Sequence, residues 1–303
     1  MKYLPRCLAI ILFLFTLSAE ARAGLKVVTT LPDLAWAARE IGGDGVSVVS
    51  LLRGTENPHF ADAVPDFIAK AASADVLCAV GLELEVGWLP KVLSRSGNAK
   101  VQTGGAGFCE TGPAVEVIDK PAGAIDRSMG DVHPYGNPHF WISPLALAEG
   151  ARAIRDALVR VDGAHRALYE ANYRKLKTKL DSIHRKNLEK LKPYAGQPIF
   201  MEYHQEFAYF FSAYGLRSAG SLEEKPGVPP SAGRIAGAAN SAKGEVKLLL
   251  ASETNPESTL KKFSEISGIP FVILPVMSHV KGEPRDYEAL QNRIVEAVLG
   301  KLK

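Results

Sequence analysis

The chain has 303 residues, of which 47% are hydrophobic and 23% charged, with seven histidines, three cysteines and a formal net charge of +3. That length exceeds one ordinary core and suits two domains. The small charge leaves no electrostatic footprint for nucleic acid or an anionic membrane.

The first element is a leader. Lys2 and Arg6, the apolar run Leu8 to Leu17 and the triplet Ala21-Arg22-Ala23 before Gly24 follow the order of a cleaved signal peptide, residues 1–23. Ten residues rise only about 15 Å as a helix, half of a bilayer core, and no later stretch is long enough to span. A soluble, periplasmic mature chain beginning near Gly24 is therefore expected. Removing Lys2, Arg6 and Arg22 together with Glu20 lowers the net charge from +3 to +1. Cys78 and Cys109 survive processing. Outside the cytoplasm they can form a disulfide, and two separate buried thiols are an equally open reading.

Beyond the leader, short β-rich runs alternate with amphipathic segments. Leu25 to Thr29, Val46 to Leu51, Val76 to Val80, Pro198 to Met201, Val246 to Ala251 and Phe271 to Leu274 read as buried strands. The alternation predicts an α/β fold of βα repeats with parallel sheets. Ser143-Pro144 and the capping box Thr254-Asn255-Pro256-Glu257 mark helix starts, and Gly215 marks a helix end. Between Asp162 and Lys192 there is no proline, and no glycine after Gly163. Tyr169, Tyr173, Leu176, Leu180, Ile183 and Leu191 recur there at three- and four-residue steps. This predicts one long helix over 162–192 joining a lobe over 24–161 to a lobe over 193–303. Gly220 to Gly237, with three prolines, is the expected mobile loop.

The histidines carry the chemistry. His59 follows the second strand in Asn57-Pro58-His59-Phe60, and His139 lies in the identical tetrapeptide Asn137-Pro138-His139-Phe140 ahead of the Ser143 helix start. His204 directly follows the strand Pro198 to Met201 with Glu202 and Tyr203 between. Ligands of α/β sheets bind outside the carboxyl ends of strands, so two histidines of the first lobe and one of the second can meet across a cleft. Three neutral imidazoles suit a borderline-soft divalent ion, above all Zn2+. A proline ahead of each of the first two restricts the backbone and limits the entropy lost on binding. The bland alternative is that Asn-Pro only initiates a turn. His165 and His184 fall among charged residues of the long helix and read as solvated. His133 reads as a loop histidine or a mobile scavenging arm, and His279 occupies a strand-end loop suited to a fourth ligand. Phe60, Phe140 and Trp141 would dry such a site, while Glu83, Glu85 and Trp88 read as helix-capping and packing residues.

The stretch from Gly54 to Leu93, the motif Gly-Asn-Pro-His-Phe-Trp-Ile-Ser-Pro at 136–144 and Tyr203 to Leu216 with its aromatic-rich helix resemble the periplasmic zinc and manganese solute-binding proteins of ABC importers. The likeness covers the mature chain and the order of all three motifs. It implies two α/β lobes bridged by a helix, with a metal held by His59, His139 and His204 and passed to an inner-membrane permease by a monomer. Relatives commonly supply an aspartate after the last strand, where this chain has Leu274-Pro275. His279, Glu253 or water then completes the set. A third imidazole where other members carry glutamate favours Zn2+ over Mn2+. The rival readings are a manganese-binding member and a zinc hydrolase with Glu202 or Glu206 as base. Against a hydrolase, HExxH and GxSxG are missing, and Gly104-Gly105-Ala106-Gly107 is too weak for a phosphate loop.

Overall fold

A computed structural model describes residues 24–123, 125 and 129–302. The expected signal peptide, residues 1–23, lies outside the described residues. The first lobe is a parallel four-stranded sheet in the order β2-β1-β3-β4, built from β1 (Leu25–Thr29), β2 (Val46–Ser50), β3 (Val76–Ala79) and β4 (Phe108–Glu110). Its helices are α1 (Pro32–Gly42), α2 (Pro65–Ala72), α3 (Leu89–Ser96) and α4 (Pro144–Val161). The second lobe repeats the plan as β6-β5-β7-β8, with β5 (Phe200–Glu202), β6 (Ser218–Ser221), β7 (Leu248–Ser252) and β8 (Phe271–Leu274). It carries α6 (Ala208–Ala213), α7 (Ala232–Ala242), α8 (Glu257–Ser267) and α9 (Tyr287–Leu302). In each sheet the chain starts at an inner strand, pairs outward, then crosses to the other side. Such a reversal opens a crevice at the carboxyl ends of the strands.

Helix α5 (Arg166–Leu191) joins the lobes, and every apolar residue of the expected stripe is buried along it. His184 corrects the expected solvated face: it is buried, stacked on Tyr214 with ring centres 5.4 Å apart. His165 is exposed and paired with Asp162. At α4 the Ser143 hydroxyl accepts the Ala146 amide and Pro144 opens the helix, as the sequence suggests. The expected capping box at α8 does not form. Asn255 Oδ1 turns back to accept the Ser252 amide at 2.8 Å, so this segment closes a turn at the end of β7. Part of the expected mobile loop, Gly220 to Gly237, is ordered into the end of β6 and the start of α7.

The main apolar cluster runs through both lobes. Trp141 Nε1 donates to the Val276 carbonyl at 2.7 Å, and Tyr287 of α9 donates its hydroxyl to the Trp141 carbonyl at 2.7 Å. Asp33 at the start of α1 accepts the Ser278 amide at 3.2 Å, and burial pushes its carboxyl up to about 7. Fastenings this extensive favour small adjustments between lobes over wide opening.

Cys78 and Cys109 face each other in register on β3 and β4 and form a disulfide. The bridge closes a segment with a sequence separation of 31 residues, for which chain-entropy arguments give about 3–4 kcal/mol. The Cys78→Ser, Cys109→Ser double variant is expected to lose about that much in a denaturant titration of the metal-free chain. An unchanged midpoint would show that β4 needs no covalent tie.

Candidate metal centre

The repeated tetrapeptide is a device for aiming a ring. Asn57 Oδ1 accepts the His59 amide at 2.9 Å, and Asn137 Oδ1 accepts the His139 amide at 3.0 Å. Each asparagine therefore caps the histidine two residues on, while the intervening proline fixes the turn. Trp88 Nε1 anchors the first turn by donating to the Pro58 carbonyl at 2.9 Å. The second turn reaches across the cleft, because Asn137 Nδ2 donates to the Gln205 carbonyl at 2.9 Å. His204 follows β5 in the opposite lobe, and its Nδ1 lies 2.7 Å from Glu223 Oε2. Glu223 is itself held by the Gly227 amide at 2.8 Å.

These placements bring His59, His139 and His204 together, with one ring nitrogen of each within 4.8 Å of the other two. The Nε2 atoms of His59 and His139 stand 3.0 Å apart, and the three rings have centres 5.2, 5.5 and 5.4 Å from one another. Zinc–nitrogen bonds of 2.0–2.1 Å in a tetrahedron put donor atoms about 3.3 Å apart and ring centres about 5 Å apart. The His59–His139 pair and the three ring spacings lie close to those values. His139 Nδ1 lies 2.9 Å from Asn137 Oδ1, so this nitrogen carries the proton and Nε2 keeps its lone pair for the cluster. A carboxylate behind a ligating imidazole raises its basicity, and Glu223 stands in that position behind His204.

The electrostatics divide the three rings. Burial, then the charges of neighbouring histidines, hold His59 and His139 well below the ordinary histidine range. Burial also acts downward on His204, but the hydrogen bond to Glu223 and the charges of Glu206, Glu223 and Glu202 together outweigh it and raise this ring above 6.5. Of the three rings, His204 is the one whose proton a metal would have to displace. The apparent Kd is expected to rise about tenfold per pH unit as pH falls below the His204 pKa, a one-proton slope rather than the three-proton slope of ordinary histidines. Glu223→Gln removes the anion that raises this ring. The acid limb should then begin at lower pH, while affinity on the plateau drops by about 10–100-fold. Titrations with a competing chelator between pH 5 and 8 check both, and a wild-type slope near three would refute the division.

Among the other sequence candidates, His279 is not brought to the cluster. Its Nε2 lies 3.0 Å from Glu253 Oε2, and it packs beside Gly54. Phe140 and Trp141 are fully buried, with the Trp141 ring 5.4 Å from His139, whereas Phe60 is 63% exposed with its ring 6.0 Å from that of His59. Glu85 is buried and accepts the Thr30 hydroxyl at 2.7 Å and the Val80 amide at 2.8 Å. Glu202 accepts the Phe207 amide at 3.0 Å, and burial raises its carboxyl to about 8. Glu206 is raised by burial too and accepts the Ser252 hydroxyl at 3.1 Å.

A family profile described as "ZnuA: Zinc-uptake complex component A periplasmic" matches residues 27–299. The chain belongs to the ZnuA family. Members of this family are binding components of an uptake complex and not enzymes. Relatives include the zinc-binding lipoprotein AdcA of Streptococcus pneumoniae, 28% identical over 229 residues, which are 74% of this chain and 44% of AdcA. The manganese ABC transporter substrate-binding lipoprotein PsaA of Streptococcus anginosus is 28% identical over 215 residues, 68% of this chain and 65% of PsaA. The chain thus spans less than two thirds of either relative. A solved ZnuA crystal structure shares the fold with a TM-score of 0.75 at 21% identity, over 92% of this chain and 100% of that one.

Proposed function

We propose that this chain captures a divalent transition metal, first of all zinc, between its two lobes and delivers it to the permease of an ABC importer. The observation that carries the reading is the gathering of His59, His139 and His204 from three separate turns around one point. The ion is cargo. His59 and His139 form the half-site on the first lobe, and His204, kept basic by Glu223, closes it from the second. A donor set with three nitrogens favours zinc over manganese, the metal named for PsaA, since harder ions prefer carboxylate and water. One chain supplies all three donors, so a monomer suffices. The lobe bounds 24–161 and 193–303 are offered as the units that grip the ion, with 162–192 as their tie. The family's setting, the disulfide and the leader-like residues 1–23 favour action in the periplasm.

The test is metal content and chelator-competed titration of chain purified from the periplasm. One zinc per chain, bound far more tightly than manganese and released intact to a chelator, is expected. Failure to bind either metal would overturn the reading, and preference for manganese would transfer it to the PsaA-like alternative.

A further inference from the structure

The segment 129–136 belongs to the first lobe by sequence but is seamed to the second. The Asp131 amide donates to the Pro226 carbonyl at 2.7 Å. Gly130 and Gly227 have φ of +81° and +75°, and a Cβ on either would collide, with the Pro226 carbonyl and with Asp131 Oδ2 respectively. Only glycine on both sides allows so close an approach.

His133 sits on this seam and turns inward. Its ring centre is 5.1 Å from that of His59 and 6.5 Å from that of His139. The ring is hydrogen-bonded to the Leu82 main chain, and its Nε2 is buried without a partner. Leu82 and Glu83 both lie in the left-handed region, at φ 55° and 66°. Two consecutive non-glycine residues there are costly, and their turn is what offers main chain to His133. An imidazole with one nitrogen held by the backbone and the other bare is how proteins present a metal ligand.

We propose that His133 is a fourth imidazole donor, so that the captured ion is held by four nitrogens, His59, His133 and His139 from one lobe and His204 from the other. The proposal rests on the metal-capture reading above. The spacing of His133 from His59 already matches the roughly 5 Å of a tetrahedral site, while its nitrogens stand outside the group formed by the other three, so the ring must close in on His139 and His204 to complete the shell. A closed shell without carboxylate discriminates against manganese. It also makes the seam an interlobe strap that tightens on the metal. Asp131 and Glu206 each have a buried oxygen without a partner, Oδ2 and Oε2 respectively, and are the competing donors.

The experiment compares the full chain with His133→Ala, Asp131→Asn, Glu206→Gln and His59→Ala, using zinc in chelator competition and cobalt(II) absorption as a coordination readout. His133→Ala is expected to lose at least about 100-fold in zinc affinity, the upper end of what losing an outer partner costs, and its cobalt bands to weaken as water replaces nitrogen. On the wild-type chain labelled with ¹⁵N-histidine, zinc is expected to shift four imidazoles together, a measurement independent of any variant's folding. Three shifted imidazoles, or zinc affinity in His133→Ala within about threefold of wild type, would overturn the proposal. Loss confined to Asp131→Asn or Glu206→Gln would overturn it in favour of an oxygen donor. Retention of zinc in His59→Ala would sink the capture reading itself, whereas retention in His133→Ala alone sinks only the fourth donor.

Discussion

His139→Ala is expected to weaken zinc binding by more than the roughly 100-fold that removing an outer hydrogen-bond partner can cost. His139 is the most fully constrained of the gathered rings. Asn137 Oδ1 holds both its amide and its Nδ1, and Asn137 Nδ2 is tied to the opposite lobe. The ring is therefore aimed before metal arrives and little ordering entropy is lost on binding. Burial keeps it neutral, so no proton competes for its Nε2 near neutral pH. Alanine leaves His59 and His204 with their own supports but removes the donor between them, and water in its place is a weaker, mobile ligand. His279→Ala is the matched control: its ring faces Glu253, and zinc affinity should stay within about threefold of wild type. Equal losses in both variants, measured against a chelator, would mean that a different part of the cleft binds the ion.

Much of this arrangement was legible in the sequence because strong local signals and the site coincide. The stripe of α5 has a helical period, β3 and most of β7 are continuous apolar runs, and the Asn-Pro-His turns carry their own capping residue. What escaped was either short or distant. Strand β4 has three residues, and β6 is Ser-Ala-Gly-Ser, with no periodicity to read. Missing β6 hid Glu223, which lies two residues past that strand and reaches His204 from a sequence separation of 19 residues. Trp88 packs as expected, yet its bond to Pro58 spans 30 residues and no local pattern announces it. His184 misled because its neighbours on α5 are charged, while the ring itself faces Tyr214. For the fourth position the sequence points to His279, Glu253 or water, beyond the last two strands. The inward ring of His133 depends on the turn at Leu82 and the seam to Pro226, and both are tertiary.

Trp141→Ala is expected to cost about 4–5 kcal/mol of stability in the metal-free chain, at the upper end for deleting a buried tryptophan. The side chain is fully buried, and its removal strands the Val276 carbonyl, which accepts Nε1 at 2.7 Å across the lobes. An unsatisfied buried carbonyl adds about 1–3 kcal/mol that relaxation of the cavity cannot recover. For a chain of this size the loss should lower Tm by on the order of 10 °C. Trp141→Phe retains an aromatic ring and leaves a smaller cavity while removing the same donor, so it weights the result toward the lost hydrogen bond; it should cost about 1–3 kcal/mol. Because Trp141 both fastens Val276 and supports His139, whose ring lies 5.4 Å away, Trp141→Ala should also weaken zinc binding. Saturating zinc should then restore part of the lost Tm by mass action, since the ion binds only the folded chain. Thermal melts of both variants with and without zinc test this. A metal-free Trp141→Ala chain that melts within a few degrees of wild type would show that the lobes are held together by the α5 and α9 contacts, with the tryptophan only filling space.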